Sequence, residues 1–302
     1  MTRQSGFKER VRARMSATGE SYAAARAHLD RGRPSVLNVT NGESTSISLR
    51  DSGVPGEMLT YPGRLQEADR YVLWFEADLY DQLLLIEVLS KLEAEPARIS
   101  LVSIGEYRGK AHFGGLGELT PQQLAALLPE AVTFNVEDVQ LAQQAWRAYR
   151  ASRPRGLPAI ARASSPELRF LGEAFARLMQ EYPSRVDGLS LTERRILQAV
   201  DEGAHRPREI FLALWQRERR PFLADQPTFE VIKRLSEARH PLLAPGPYRD
   251  RLRLTPVGRE VLEGSADHVR LNGLDRWIGG VHLTGAEDWR YDERLETVTK
   301  GP

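Results

Sequence analysis

The chain contains no cysteine, which excludes a disulfide framework, a thiol nucleophile, a thiolate zinc site and an iron–sulfur cluster. Nor is one sign of charge in excess, since 42 Lys and Arg stand against 41 Asp and Glu for a formal net charge of +1. A polycationic nucleic-acid coat and an acidic tail are thereby excluded, while local patches are not. Long apolar runs are missing as well. The strongest, Leu83–Leu89, is interrupted by Glu87 and falls far short of the roughly 20 residues that a spanning helix needs. The charged N-terminus has no apolar segment ahead of a small-residue cleavage site, so no secretory signal is read there. Together with the missing cysteines this leads to the expectation of a cytoplasmic protein without a membrane partner. Gly and Pro, at 24 and 18 residues, are near average usage, which excludes collagen-like and broadly disordered chains. The 302 residues, 41% of them hydrophobic, suffice for two or three units with cores of their own.

Five segments follow from the patterning. Residues 1–34 form a basic arm, in which Lys8, Arg12, Arg14 and Arg26 are among many cations and Phe7, Val11 and Met15 recur every fourth residue. That spacing predicts a helical arm with one narrow apolar stripe. It is read either as a hairpin packed on the main domain or as a contact to nucleic-acid phosphates.

Residues 35–118 alternate strand and helix patterns. Val36–Thr40, Tyr71–Phe75 and Arg98–Ile104 read as strands, and Ser44–Ser52 and Leu79–Glu93 as helices. The alternation predicts an α/β domain with a mainly parallel, Rossmann-like or flavodoxin-like sheet. In such sheets, ligands sit beyond the carboxyl ends of the strands, which singles out three loops. Thr40-Asn41-Gly42-Glu43-Ser44 is a polar turn whose amides and hydroxyls suit a phosphate or carboxylate at a helix start. It lacks the glycine spacing of a Walker loop or a dinucleotide fingerprint. Glu76-Ala77-Asp78-Leu79-Tyr80-Asp81-Gln82 places three carboxylates at a strand end. Glu76, Asp78 and Asp81 there either hold a hard cation such as Mg²⁺ or act as acid and base, or Asp78 simply caps the helix while Asp81 complements its dipole. The third loop, Gly105–Gly117, carries Tyr107, Arg108, Lys110, His112 and Gly114-Gly115. It reads as a cationic flap over an anion or as an ordinary connection.

Residues 119–186 read as helices and a linker, with Thr120 capping and Pro121 opening the first helix. Residues 187–264 predict three helices, with Ser190 capping the first, then two short strands and a last helix begun by Leu254-Thr255-Pro256-Val257-Gly258. This order closely resembles a winged helix-turn-helix. A DNA-binding role would use Lys233, Arg234 and Arg239 on the third helix and Arg249, Arg251 and Arg253 around the hairpin. The third helix, however, offers no obvious Asn, Gln or Ser set for reading base edges. Residues 265–302 form a tail expected to dock on the α/β domain and to fray at its polar end. Within it, Arg276 and Trp277 suit an anion or a packed core, and His282 an acid or base.

The Thr40–Ser44 turn, the Trp74–Gln82 stretch and the Asp275-Arg276-Trp277-Ile278-Gly279-Gly280 tail together resemble the bacterial domain-of-unknown-function family 1835, over about residues 35–290. The resemblance implies the α/β fold and no established activity. In that family's pattern His, Asp and His stand where this chain has Asn38, Glu43 and Ala77. The departure removes two imidazoles and allows a binding-only descendant. The first 34 residues resemble an Arg-rich arm fused to varied actinobacterial-type proteins. Three function classes emerge: a small-molecule site for an anionic or nucleotide-like ligand at the strand ends, a ligand-responsive nucleic-acid regulator, and a protein-interaction module.

Overall fold

The computed structural model describes the chain apart from residues 1–2, 32–33, 111–112, 247–250 and 302. The positions of His112 and Arg249 lie outside the described residues. The chain forms two compact units, the first built from residues 1–76, 87–104 and 115–140 and the second from residues 77–86, 105–114 and 141–302. No described helix is long and apolar enough to cross a membrane.

The first unit opens with helices α1 (Arg3–Thr18) and α2 (Tyr22–Arg31), which pack on each other with Val11 and Ala25 buried. Strand β1 (Val36–Thr40), helix α3 (Glu43–Asp51), β2 (Glu57–Thr60) and β3 (Arg70–Trp74) follow, and α4 (Leu79–Lys91), whose first eight residues are counted with the second unit, then leads to β4 (Ile99–Val102). Helix α5 (Pro121–Leu127) precedes the two-residue β5 (Val132–Thr133) and α6 (Val136–Arg150), which from Leu141 onward is counted with the second unit. Thr120 caps α5 through a capping box with Gln123, as its sequence predicts. The strand order is β2-β1-β3-β4-β5. The first four strands are parallel, and β5 adds an antiparallel edge to β4. This is the mostly parallel α/β sheet expected from the alternation. The β5 edge was not anticipated, because two exposed residues carry no period.

Both faces of the central strands are covered. Leu37, Val39, Tyr71, Leu73 and Trp74 are buried, which explains their continuous apolar character. Asn38 stands out among them as a fully buried amide. Its Oδ1 accepts the Trp74 indole N–H at 2.9 Å, and its Nδ2 donates to the Pro55 carbonyl at 3.0 Å. One side chain therefore joins β1, β3 and the turn before β2.

In the second unit, α7 (Leu157–Ala161) and α8 (Leu171–Met179) precede α9 (Leu191–Asp201), α10 (Pro207–Arg217) and α11 (Asp225–Glu237). Strands β6 (Leu243–Pro245) and β7 (Leu252–Leu254) pair antiparallel before α12 (Pro256–Leu262). Helices α9 to α12 and this hairpin share one core, built on Ile196, Leu197, Val200, Ile210, Ile232, Leu235 and Val261. Residues 151–165, read as a linker, contain α7, whose Leu157 and Ile160 are buried. Its brevity hides it from any periodicity test.

The tail contains α13 (His268–Asn272) and two antiparallel hairpins, β8 (Arg276–Ile278) with β9 (Val281–Leu283) and β10 (Trp289–Asp292) with β11 (Thr297–Lys300). Its hydrogen bonds run to Tyr149, Glu181, Ser184 and Glu193, all in the second unit. The expected fraying does not occur in β10 and β11. Tyr291 pairs across the hairpin with Val298 and both are buried, while the buried Arg290 guanidinium donates to the Ser184 carbonyl and Asp267. The charge alternation that suggested a loose end is the outer face of a hairpin.

Replacing Asn38 by Leu leaves the Trp74 N–H buried without an acceptor, and each such orphan costs about 1–3 kcal/mol. Chemical denaturation should show that loss, and Trp74→Phe in the Asn38→Leu background should recover part of it. Additive effects of the two substitutions would mean that the bond carries no coupling.

Candidate functional site

In the order β2-β1-β3-β4, the step from β1 to β2 runs one way across the sheet and the step from β3 to β4 runs the other. The reversal falls between β1 and β3, where open α/β sheets place ligands at the carboxyl ends. Those two ends are in register, Thr40 pairing with Trp74.

Beyond β1, Gly42 is the N-cap of α3 in extended conformation and provides no side-chain cap. Glu43, in the first turn, accepts the Thr60 hydroxyl at 3.0 Å and faces Arg50 at 3.7 Å. Thr45 and Ser46 of that turn are buried, and Ser46 Oγ has no hydrogen-bond partner among the described residues.

Beyond β3, Glu76 Oε1 accepts the Leu116 amide at 2.6 Å. Gly115, at φ +140°, lies against the Glu76 carboxylate, where any Cβ would collide with it. A Cβ at Gly117 would come within 2.7 Å of Ser44 Oγ. Thus Ser44, Glu76 and residues 115–117 from the three predicted loops meet beyond the carboxyl ends of the central strands. The Leu116 amide is the contact that sequence reasoning missed, although the Gly114-Gly115 pair had flagged the loop.

Within the turn into α4, carboxylate oxygens of Glu76, Asp78 and Asp81 lie within 4.8 Å of one another. Three hard oxygens this close fit one divalent cation. Asp78 Oδ1 also accepts the Tyr80 amide at 2.8 Å and the Asp81 amide at 3.1 Å, so the capping role and the cluster coexist. Desolvation raises the Asp78 carboxyl to about 6 against these amide bonds, which lower it. Asp81 and Gln82 are buried behind it.

No protein-family model matches the chain, and no curated protein matches it. The site is therefore read from its own geometry.

The remaining candidates lie in the second unit. Arg276, on β8, donates to the Glu181 carbonyl at 2.7 Å and faces Glu193 at 3.4 Å. Trp277 is exposed and stacks on His282 with ring centroids 4.4 Å apart. His282 Nε2 stands 2.7 Å from Asp275 Oδ1 on the same hairpin. Lys233, Arg234, Arg239 and Arg253 are exposed and Arg251 is half-buried. Arg234 is engaged with Glu193 at 3.0 Å, and Arg253 Nε donates to the Pro245 carbonyl.

Asp78→Asn keeps the Oδ1 acceptor that caps α4 and removes the charge. Because the folded carboxyl titrates near 6 and an ordinary one near 3.8, the stabilisation from protonating it is complete below about pH 4 and lost as pH rises through 6. The variant should melt above the parent at about pH 7.5 and alongside it at about pH 4. A difference independent of pH would show that Asp78 ionises normally.

Proposed function

We propose that the protein binds a small anionic ligand, nucleotide-like or simpler, together with a divalent cation such as Mg²⁺ at the carboxyl ends of β1 and β3. The observation that carries this reading is the convergence of the Glu76, Asp78 and Asp81 carboxylates beside the point where the strand order reverses. Three carboxylates repel one another and repel an anion. A cation among them reverses both effects and can bridge to phosphate or carboxylate oxygens. Thr40, Asn41, Gly42, Glu43 and Ser44 then form the neighbouring wall, where the first-turn amides of α3 favour negative charge. Asp78, titrating near 6, is the group suited to take up a proton near neutral pH. Asn38, where the resembled family carries His, is spent on Trp74 and Pro55, and this supports binding through oxygens with no imidazole.

Calorimetric titration of the full chain with Mg²⁺ or Mn²⁺, with and without pyrophosphate, tests the site. We expect cation binding that strengthens the binding of pyrophosphate, weakens below about pH 6 as Asp78 takes its proton, and falls about tenfold or more in Glu76→Gln and in Asp81→Asn. Absence of cation binding, or binding that neither substitution changes, overturns the proposal.

A second reading rests on helices α9 to α12 and the β6–β7 hairpin, which follow the order of a winged helix around one core. With α11 in the major groove, Lys233 and Arg253 supply phosphate contacts. Under that reading, Lys233→Ala plus Arg253→Ala lowers the salt slope of duplex DNA binding by about 2, at roughly 0.9 per lost contact. No salt-dependent binding by the parent chain excludes it.

A further inference from the structure

The loop after β4 and the connection between α10 and α11 line an open cavity of about 500 Å³ within the second unit. Tyr107 and Lys110 form an isolated antiparallel bridge, with the Lys110 amide donating to the Tyr107 carbonyl at 3.0 Å. Three aromatic side chains, Tyr107, Phe113 and Trp215, face this space, with the Tyr107 and Phe113 rings 6.1 Å apart. Four cations face it too: Arg108 and Lys110 from the loop, and Arg219 and Arg220 from the connection.

Glu218 lines the same cavity, but Arg177 at 2.7 Å and Arg195 at 2.6 Å already hold it, and its carboxyl is kept below the ordinary range. Desolvation opposes that shift, and the Arg177 hydrogen bond leads the effects that overcome it. Glu173 is shared between Arg219 at 3.3 Å and Arg220 at 3.8 Å, and Glu181 is paired with Arg177.

Arg220 is set in place before any ligand arrives. Its guanidinium sits over the Phe170 ring at 5.1 Å and donates through Nη1 to the Gly105 carbonyl, an approach that any side chain at Gly105 would block. Its Nε is buried and faces Glu173 Oε1 at 3.8 Å. A guanidinium already fixed in place loses little freedom in meeting an oxyanion.

We propose that this cavity binds a free nucleoside phosphate, with the base against Trp215, Tyr107 or Phe113 and the phosphate among Arg108, Lys110, Arg219 and Arg220. Aromatic rings hold bases by stacking, and guanidinium groups match phosphate oxygens in pairs. The volume lies in the range of small-molecule pockets, about 300–1,000 Å³. The lining shares no residue with the carboxylate cluster and needs no metal ion, so the assignment stands or falls independently of the strand-end reading.

The test is binding of AMP to the full chain in EDTA, followed by calorimetry and by tryptophan fluorescence. Adenosine, inorganic phosphate and a single-stranded oligonucleotide are the comparison ligands. AMP should bind at least tenfold more tightly than adenosine or phosphate alone, because both halves of the site are used. Arg108→Gln, which alters an exposed side chain, should weaken AMP about tenfold, the worth of one charged hydrogen bond. Trp215→Phe should change the affinity less and abolish most of the fluorescence response. Asp78→Asn should leave AMP binding unchanged, and its loss in that variant would move the ligand to the strand ends and overturn the assignment. AMP no tighter than phosphate, no effect of Arg108→Gln, or an oligonucleotide preferred over AMP also overturns it.

Discussion

The second unit is organised around one buried carboxylate. Glu193, 4% exposed at the start of α9, closes a capping box with Ser190 through hydrogen bonds of 2.8 and 3.2 Å. Burial alone pushes its carboxyl upward. Arg276, His268 and Arg234, aided by the Ser190 amide, overcome that and hold it at about 2. A local helix cap thereby fastens α11, α13 and β8 to α9. One residue earlier, Thr192 joins a neighbouring network, donating to Glu181 and accepting from Arg177, which is itself bound to Glu218. Buried ions are tolerable only while partnered, since losing one partner costs about 3–5 kcal/mol. These elements must therefore assemble together.

The sheet is organised by the opposite means. Its centre is apolar, and Asn38 with Trp74 is a polar pair within it. Charge gathers at the strand ends, where Glu76, one of the three clustered carboxylates, meets the loop at Gly115. The same contrast explains what Arg276 does. In sequence it is a plausible anion clamp, yet the fold commits it to Glu193 and the Glu181 carbonyl.

Strands β1, β3 and β4 were legible because fully covered parallel strands leave continuous apolar runs. Helices α5, α9 and α12 were legible from Thr120, Ser190 and Thr255, whose side chains each accept the amide three residues on. Short elements were not. β5 has two residues, α7 has five, and β10 and β11 have four each, too few for any period to stand out. The aromatic and cationic lining at Trp215, Arg219 and Arg220 was equally hidden, because it meets Tyr107 and Arg108 only across about a hundred residues of chain.

Local chemistry thus determined the elements: the order of strands and helices, their caps, and the carboxylates and glycines at the turns, all of which depend on residues within a few positions of one another. Tertiary structure decided pairing and purpose. Which strands adjoin, which arginine faces which acid, and whether a carboxylate titrates near 2, as Glu193 does, or near 6, as Asp78 does, depend on burial and on partners distant in sequence. Desolvation and long-range ion pairing leave no periodic mark in the chain, and so only the folded protein reveals them.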